Sequence, residues 1–339
     1  MMNDYLPKIS RRRALWLAGG LVGGIALHGC TQSSTSSTSA AAAQPLTAGV
    51  SPWPGYSGHY VALGKDLFKA EGVNVQETFF QSASESLTGF LAGKLDILST
   101  TSGDAIEMIH KDPTIRIIYV VDYSNGSDGI IGRDISSPAD LKGKTVGREN
   151  LLFEKVLLRA YLEKGGLTEA DIVIKDLTAA DAATAFAAKR VDAAVSYEPW
   201  MSKAAKQGGG EVIFSTKDTN LIADTIVTRQ KMIETRQADL QAYIRACAKA
   251  VALVNGADAD AIKIAADKLG VTPPEMSEQL AGVKVFDIEG NKTIAFNPSH
   301  ENNLMKNLEL TVKVAYESKV IPEMMDISAL YDDSIVKSL

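Results

Sequence analysis

Two periods of apolar and polar residues alternate along the chain after about residue 45. Short runs of period two, and short wholly apolar runs, predict strands; longer runs with apolar residues three and four apart predict helices. Val73-Asn74-Val75-Gln76-Glu77-Thr78-Phe79 and Ile172-Val173-Ile174-Lys175-Asp176-Leu177 are extended runs, each following a helix that closes on glycine, at Gly72 and at Gly165-Gly166. Leu95 to Ser99 and Val191 to Val195 predict short buried strands. Asp140 to Gly147 reads as a turn feeding a strand, and Val212-Ile213-Phe214 as a strand behind the loop Gly208-Gly209-Gly210. Beyond about Asp224 the pattern is mostly helical, with Ala-rich runs from Ala238 to Val254 and from Asn302 to Ser318. Strands alternating with helices in two groups predict two α/β lobes.

The chain also resembles itself at a spacing of about 96 residues. Phe90-Leu91-Ala92-Gly93-Lys94-Leu95-Asp96 and Phe186-Ala187-Ala188-Lys189-Arg190-Val191-Asp192 place Phe, Ala, a base and Asp alike. Upstream, Ser82-Ala83-Ser84-Glu85 and Thr178-Ala179-Ala180-Asp181 both read as capping-box helix starts. Any two βαβ units share such features, and that reading leads to the same fold class. The late helices are expected to return to the first lobe, so the chain crosses between lobes twice. Two crossings make a hinge.

The 339 residues are 45% hydrophobic and 22% charged, ordinary globular values for a chain long enough to hold two cores. Two cysteines and four scattered histidines supply neither a disulfide framework nor metal-ligand spacing, so no cofactor or metal is expected. Lys8 and Arg11-Arg12-Arg13 precede an apolar stretch from Ala14 to Leu27, which reads as a signal peptide over residues 1–29. Leu27-His28-Gly29-Cys30 resembles a lipobox, with Cys30 as the lipidated residue; ordinary signal-peptidase cleavage is the alternative. The arginines fit either a twin-arginine or a general secretory route. The Ser/Thr/Ala-rich residues 30–44 read as a flexible tether to the membrane. The leader carries Asp4, Lys8 and three arginines, a net +3, so its removal takes the charge from −6 to −9. An acidic protein of that kind is a poor ligand for nucleic acid.

In open α/β sheets, ligands bind beyond the carboxyl ends of the strands, and four stretches meet that rule. Ser51 to Ser57 carries Trp53 and Tyr56, rings suited to walling a pocket or stacking on a cationic group, or else to packing the lip of a lobe. Thr100-Thr101-Ser102-Gly103-Asp104 sets Thr101, Ser102 and Asp104 at a helix start, where hydroxyls and free N–H groups hold an anion; Asp104 reads equally as only the N-cap. Asp122 to Asp128 reads as a tight turn at the first crossing, each aspartate facing ligand or only forming the turn. In Tyr197-Glu198-Pro199-Trp200, Glu198 is a ligand contact or a helix cap. Glu154 and Asn150 near a helix start, and Asp224 at the return crossing, complete the candidates, while Met108 and Met201 read as core.

Trp53-Pro54-Gly55-Tyr56, Gly64 to Gly72, Gly93-Lys94-Leu95-Asp96, Asp122 to Gly129, Asp140 to Gly147 and Val191 to Trp200 occur in an order that resembles the nitrate/sulfonate/taurine and thiamine-precursor group of periplasmic binding proteins. The resemblance runs from about Thr47 to Asp326. It implies a type II periplasmic-binding-protein fold, two α/β lobes joined by a two-crossing hinge, with residues 45–126 and 222–339 in lobe 1 and 127–221 in lobe 2. It also implies a solute-binding lipoprotein outside the cytoplasm that hands a small molecule to an ABC permease and its ATPase. No oligomerisation stripe is evident, so a monomer is expected.

Asp104, Asp122, Asp128, Glu198 and Asp224 surround the expected cleft, with Arg148 the only base nearby. Buried carboxylates are costly unless something cationic meets them, so a guanidinium- or amine-like solute is expected, with an anion (nitrate, alkanesulfonate, taurine) or a thiamine-pyrimidine precursor as the alternative. A receptor presenting its ligand to a membrane sensor would need the same cleft. Thiamine-pyrimidine synthases share the lobe plan, but their cysteine- and histidine-bearing motif is not found, and no enzyme is expected.

Overall fold

The computed structural model describes residues 44–339; the leader, Cys30 and the tether up to residue 43 lie outside them. The first half runs β1 (Leu46–Val50), α1 (Ser57–Gly64), α2 (Leu67–Ala70), β2 (Val75–Phe79), α3 (Ala83–Leu91), β3 (Ile97–Thr101), α4 (Ser102–Lys111) and β4 (Ile115–Ser124). The second runs β5 (Asp128–Gly132), β6 (Thr145–Arg148), α5 (Leu152–Lys164), β7 (Val173–Asp176), α6 (Ala179–Ala187), β8 (Ala193–Tyr197), α7 (Trp200–Gly208) and β9 (Glu211–Ser215). Then follow β10 (Ala223–Arg229), β11 (Val283–Val285) and helices that include Gln237–Asn255 and Leu304–Glu317.

Two sheets form. One is ordered β11-β4-β10-β3-β1-β2, the other β7-β6-β8-β5-β9. Each has a parallel trio (β2-β1-β3 and β7-β6-β8) followed by an antiparallel strand delivered from across the molecule, β10 or β5. The chain passes between sheets through residues 125–127 and 216–222. Ser124 Oγ and Thr216 Oγ1, 2.6 Å apart, tie the two passages together. β3 and β8 are buried along their whole length, as the inner strands of α/β sheets are, which is why both read as apolar runs.

The internal repeat has a structural cause. Asp96 Oδ2 accepts the N–H of Thr47 at 2.8 Å, and Asp192 Oδ2 accepts that of Thr145 at 2.8 Å. In each half the repeated aspartate thus locks β3 or β8 to the start of the strand beside it. The repeated hydroxyls cap helices as expected: Ser82 Oγ accepts from Glu85 N–H and Thr178 Oγ1 from Asp181 N–H. The turns between helix and strand need a left-handed residue, which is Gly93 (φ +74°) in one copy and Lys189 (φ +58°) in the other.

The segment after Asp224 departs from the helical expectation at its start. Ala223–Arg229 is a strand, and it lies in the interior of the first sheet. Asp122 likewise lies within β4 rather than in a turn, leaving only residues 125–127 as the link.

Candidate functional site

Sheet register assembles the acids. Asp224 on β10 pairs with Thr101 on β3 on one side and with Asp122 on β4 on the other. Across the cleft, Asp128 on β5 pairs with Tyr197 on β8. These positions stand at the carboxyl ends of β3, β4 and β8, where sheet geometry leaves room for a ligand.

A cavity of about 30 Å³ opens between the sheets, well below the range for small-molecule sites, so the halves must part to admit a solute. Of the candidates, Trp53, Tyr56, Thr101, Asp104, Asp128 and Asp224 line it, together with Tyr197 and Phe153 from the second half and small residues. The rings form a cluster. Trp53 meets Tyr197 edge to face at 6.0 Å, and Phe153 lies 6.0 Å from Tyr197. Trp53 and Tyr56 come from one side of the cleft and Tyr197 and Phe153 from the other, so the box is complete only when the halves meet. No Lys, Arg or His lies among the lining residues.

The hydrogen bonds show which acids are satisfied. Tyr56 donates its hydroxyl to Asp224 Oδ1 at 2.6 Å, and Trp53 Nε1 donates to Asp122 Oδ2 at 2.9 Å. Asp104 accepts from the Thr101 hydroxyl at 2.9 Å and from the N–H of Leu152, at the start of α5, at 3.3 Å. The N-cap of α4 is Thr101 and not Asp104, because the Thr101 hydroxyl accepts the Asp104 N–H at 3.1 Å; Asp104 instead lines the cavity and ties the two halves. Asp122 Oδ1 and Asp128 Oδ2 are buried with no hydrogen-bond partner among the described residues. Burial pushes the Asp104 carboxyl up to about 8 and the Asp224 carboxyl up to about 7. Burial, and then the charge of Asp224, also raises Asp122 and Asp128 far above the ordinary carboxylate range.

Five expected contacts do not line the cavity. Ser102 turns its hydroxyl to Asn307 Oδ1 at 2.6 Å, fastening the helix Leu304–Glu317. Asp122 sits behind Trp53 as its acceptor. Glu154 Oε2 takes the N–H of Glu149 at 2.7 Å. Glu198 accepts from the Ser202 hydroxyl and lines a separate groove with Lys203 and Lys206, and Asn150 lines another with Arg148 and Lys155. Tyr197, within the stretch marked for Glu198, and Phe153 are lining residues that the sequence reading did not single out. Both look like core in a sequence, and the one signal for Tyr197 was its place at the end of a buried strand.

Cys247 is buried in the helix Gln237–Asn255, and burial pushes its thiol up to about 12, which suits packing and not nucleophilic chemistry. Among the described residues no His/Cys/Asp/Glu group is arranged to hold a metal ion, and no helix is long and apolar enough to cross a membrane.

The chain is similar to known binding proteins over most of its length. A putative aliphatic sulfonates-binding protein of Escherichia coli (strain K12) is 26% identical over 253 residues, covering 73% of this chain and 76% of the relative. The crystal structure of the periplasmic aliphatic sulphonate binding protein SsuA from Escherichia coli superposes with a TM-score of 0.71 at 22% identity, covering 86% of this chain and 94% of that one. The desulfurization enzyme DSZB has the same fold, with a TM-score of 0.63 at 16% identity, covering 87% of this chain and 98% of that one. The architecture is thus the type II periplasmic-binding-protein fold. The NMT1/THI5-like family model matches residues 53–258, well over half of the 339, and the chain belongs to that family.

Proposed function

We propose that this protein is the solute-binding component of an ABC importer, which encloses a small molecule between two lobes and passes it to a membrane permease and its ATPase. Family membership and a cavity lined from both halves support this reading, and the sheets support lobes at 45–126 with 222–339 and at 127–221. Export through residues 1–29 and a lipid on Cys30, with residues 30–44 as tether, complete the proposal.

The nature of the solute is a separate question, on which two observations disagree. The relatives are named for aliphatic sulfonates, which favours an anion and lends no support to an amine or guanidinium solute. The cavity favours a cation: Asp104, Asp128 and Asp224 share it with four aromatic rings and no base. Rings and ionised carboxylates together attract a small cation and repel an anion, so the cavity prefers a cation only once Asp224 and Asp104 have lost their protons, above about pH 7 to 8. The comparisons therefore back the anion better, and the cation rests on the lining alone, once its acids have lost their protons. An anion would be held here only by carboxyls that keep their protons and donate them.

Isothermal titration of the purified protein at pH 8 with guanidinium, methylammonium, ethanesulfonate and nitrate tests both levels. Guanidinium or methylammonium is expected to bind, and the anions are not. Binding of the anions alone would keep the importer and replace the solute class. Binding of none would count against a receptor role.

A further inference from the structure

Glu149, the first residue beyond β6, is 4% exposed and was not among the residues singled out from sequence. Its carboxylate lies between two helix N-termini, one from each half. Oε1 accepts the N–H of Ser84 in the first turn of α3 at 3.3 Å, and Oε2 accepts that of Ala179, the first residue of α6, at 3.2 Å. These are the two helices related by the internal repeat. Each already has its own hydroxyl cap, Ser82 or Thr178, so further amides are free to converge on one point. The backbone of Glu149 is held as well: its N–H donates to Glu154, and its carbonyl accepts from Arg148 Nη1 at 3.1 Å. The side chain is therefore aimed. The site is also next to the cavity, because Ala83 and Ser86 of the same turn of α3 line it.

The positive ends of two helices meeting at one point make a favourable place for an oxyanion. A carboxylate tethered to the backbone through two methylenes fills that place at a high effective concentration, which a free solute must outcompete. We propose that Glu149 is a built-in anion: it clasps the halves across the cleft and, by filling the convergence of α3 and α6, sets the cleft against sulfonate and other oxyanion solutes. This rests on the reading that the cleft between the sheets is the solute site. It would set this chain apart from relatives named for aliphatic sulfonates.

The test compares the full protein with Glu149→Ala and Glu149→Gln, titrating each with ethanesulfonate and with guanidinium at pH 8, with circular dichroism to check folding. Glu149→Ala is expected to bind ethanesulfonate at least about tenfold more tightly than the parent, and guanidinium more weakly because one clasp is gone. Glu149→Gln keeps the shape, loses the charge and should show a smaller gain; it decides the matter if the alanine variant does not fold. A parent that binds ethanesulfonate as tightly as both variants overturns the inference. If the parent binds guanidinium but neither variant gains ethanesulfonate, only the role of Glu149 falls. If no protein binds either solute, the cleft reading itself fails.

Discussion

Replacing Asp224 by Asn isolates the charge that the fold tolerates for the sake of its ligand. Asp224 is 3% exposed, stands beside Asp122 in the sheet, and accepts from Tyr56 at 2.6 Å. Asparagine keeps an oxygen for Tyr56 and removes the carboxylate. In the folded protein burial raises this acid from 3.8 to about 7, so the native state holds a proton that the unfolded chain has already released. Its contribution to stability is therefore largest below about pH 4 and is lost as the pH rises toward 7. About three pH units at roughly 1.4 kcal/mol each set an upper bound of about 4 kcal/mol on the penalty at pH 8. Asp224→Asn should then be the more stable protein at pH 8, by about 1–4 kcal/mol in urea unfolding, with a smaller difference at pH 5. It should bind guanidinium about 10–100-fold more weakly, having lost a charge-assisted contact worth about 1.5–3 kcal/mol. Stability and function would trade against each other at one residue. A variant no more stable than the parent at pH 8, or one that binds guanidinium unchanged, would refute the reasoning.

Three further outcomes follow from the same geometry. Because Asp104 and Asp224 hold protons up to about 8 and about 7, binding a cation must release them, so guanidinium affinity should rise between pH 6 and 9 in titration calorimetry, whereas an anion would bind more weakly over that range. A Cβ on Gly55 would lie 1.8 Å from Asp122 Oδ2 and 2.5 Å from Trp53 Nε1, so Gly55→Ala should break that bond, cost about 2 kcal/mol or more in urea unfolding and shift the tryptophan emission; an unchanged unfolding midpoint would count against the contact. A Cβ on Gly103 would lie 3.2 Å from the backbone N of Phe153, across the cleft, so in Gly103→Ala the halves must give by a few tenths of an ångström there and guanidinium binding should weaken in calorimetry; an unaltered affinity would show that the halves adjust freely.

Much of the fold was legible because it depends on near neighbours. The caps at Ser82 and Thr178, the helix Gln237–Asn255 and the strands β2, β7 and β9 fall within a few residues of where the apolar pattern sets them. Even the role of the repeated Asp96 and Asp192 left a mark, since both halves need the same lock. β10 was not legible: seven residues between a crossing and a helical region do not say which sheet they enter, and their pairing partners are over a hundred positions away. Candidate acids were recognisable one by one, because a carboxylate beyond a buried strand is conspicuous. Which of them faces the cavity was not. Asp128 and Asp224 line it while Glu154 and Glu198 turn to other partners, and the difference lies in side-chain direction and in what stands opposite. Tyr197, inside a stretch marked for Glu198, and Phe153 were not singled out because an aromatic residue walling a cleft and one filling a core have the same local pattern. Glu149 shows the division most clearly. By itself the sequence determined two repeated helix starts, through capping bonds spanning three residues; only the tertiary structure decided that their free amides converge on one carboxylate, because that requires packing residues 65 and 30 positions apart against it.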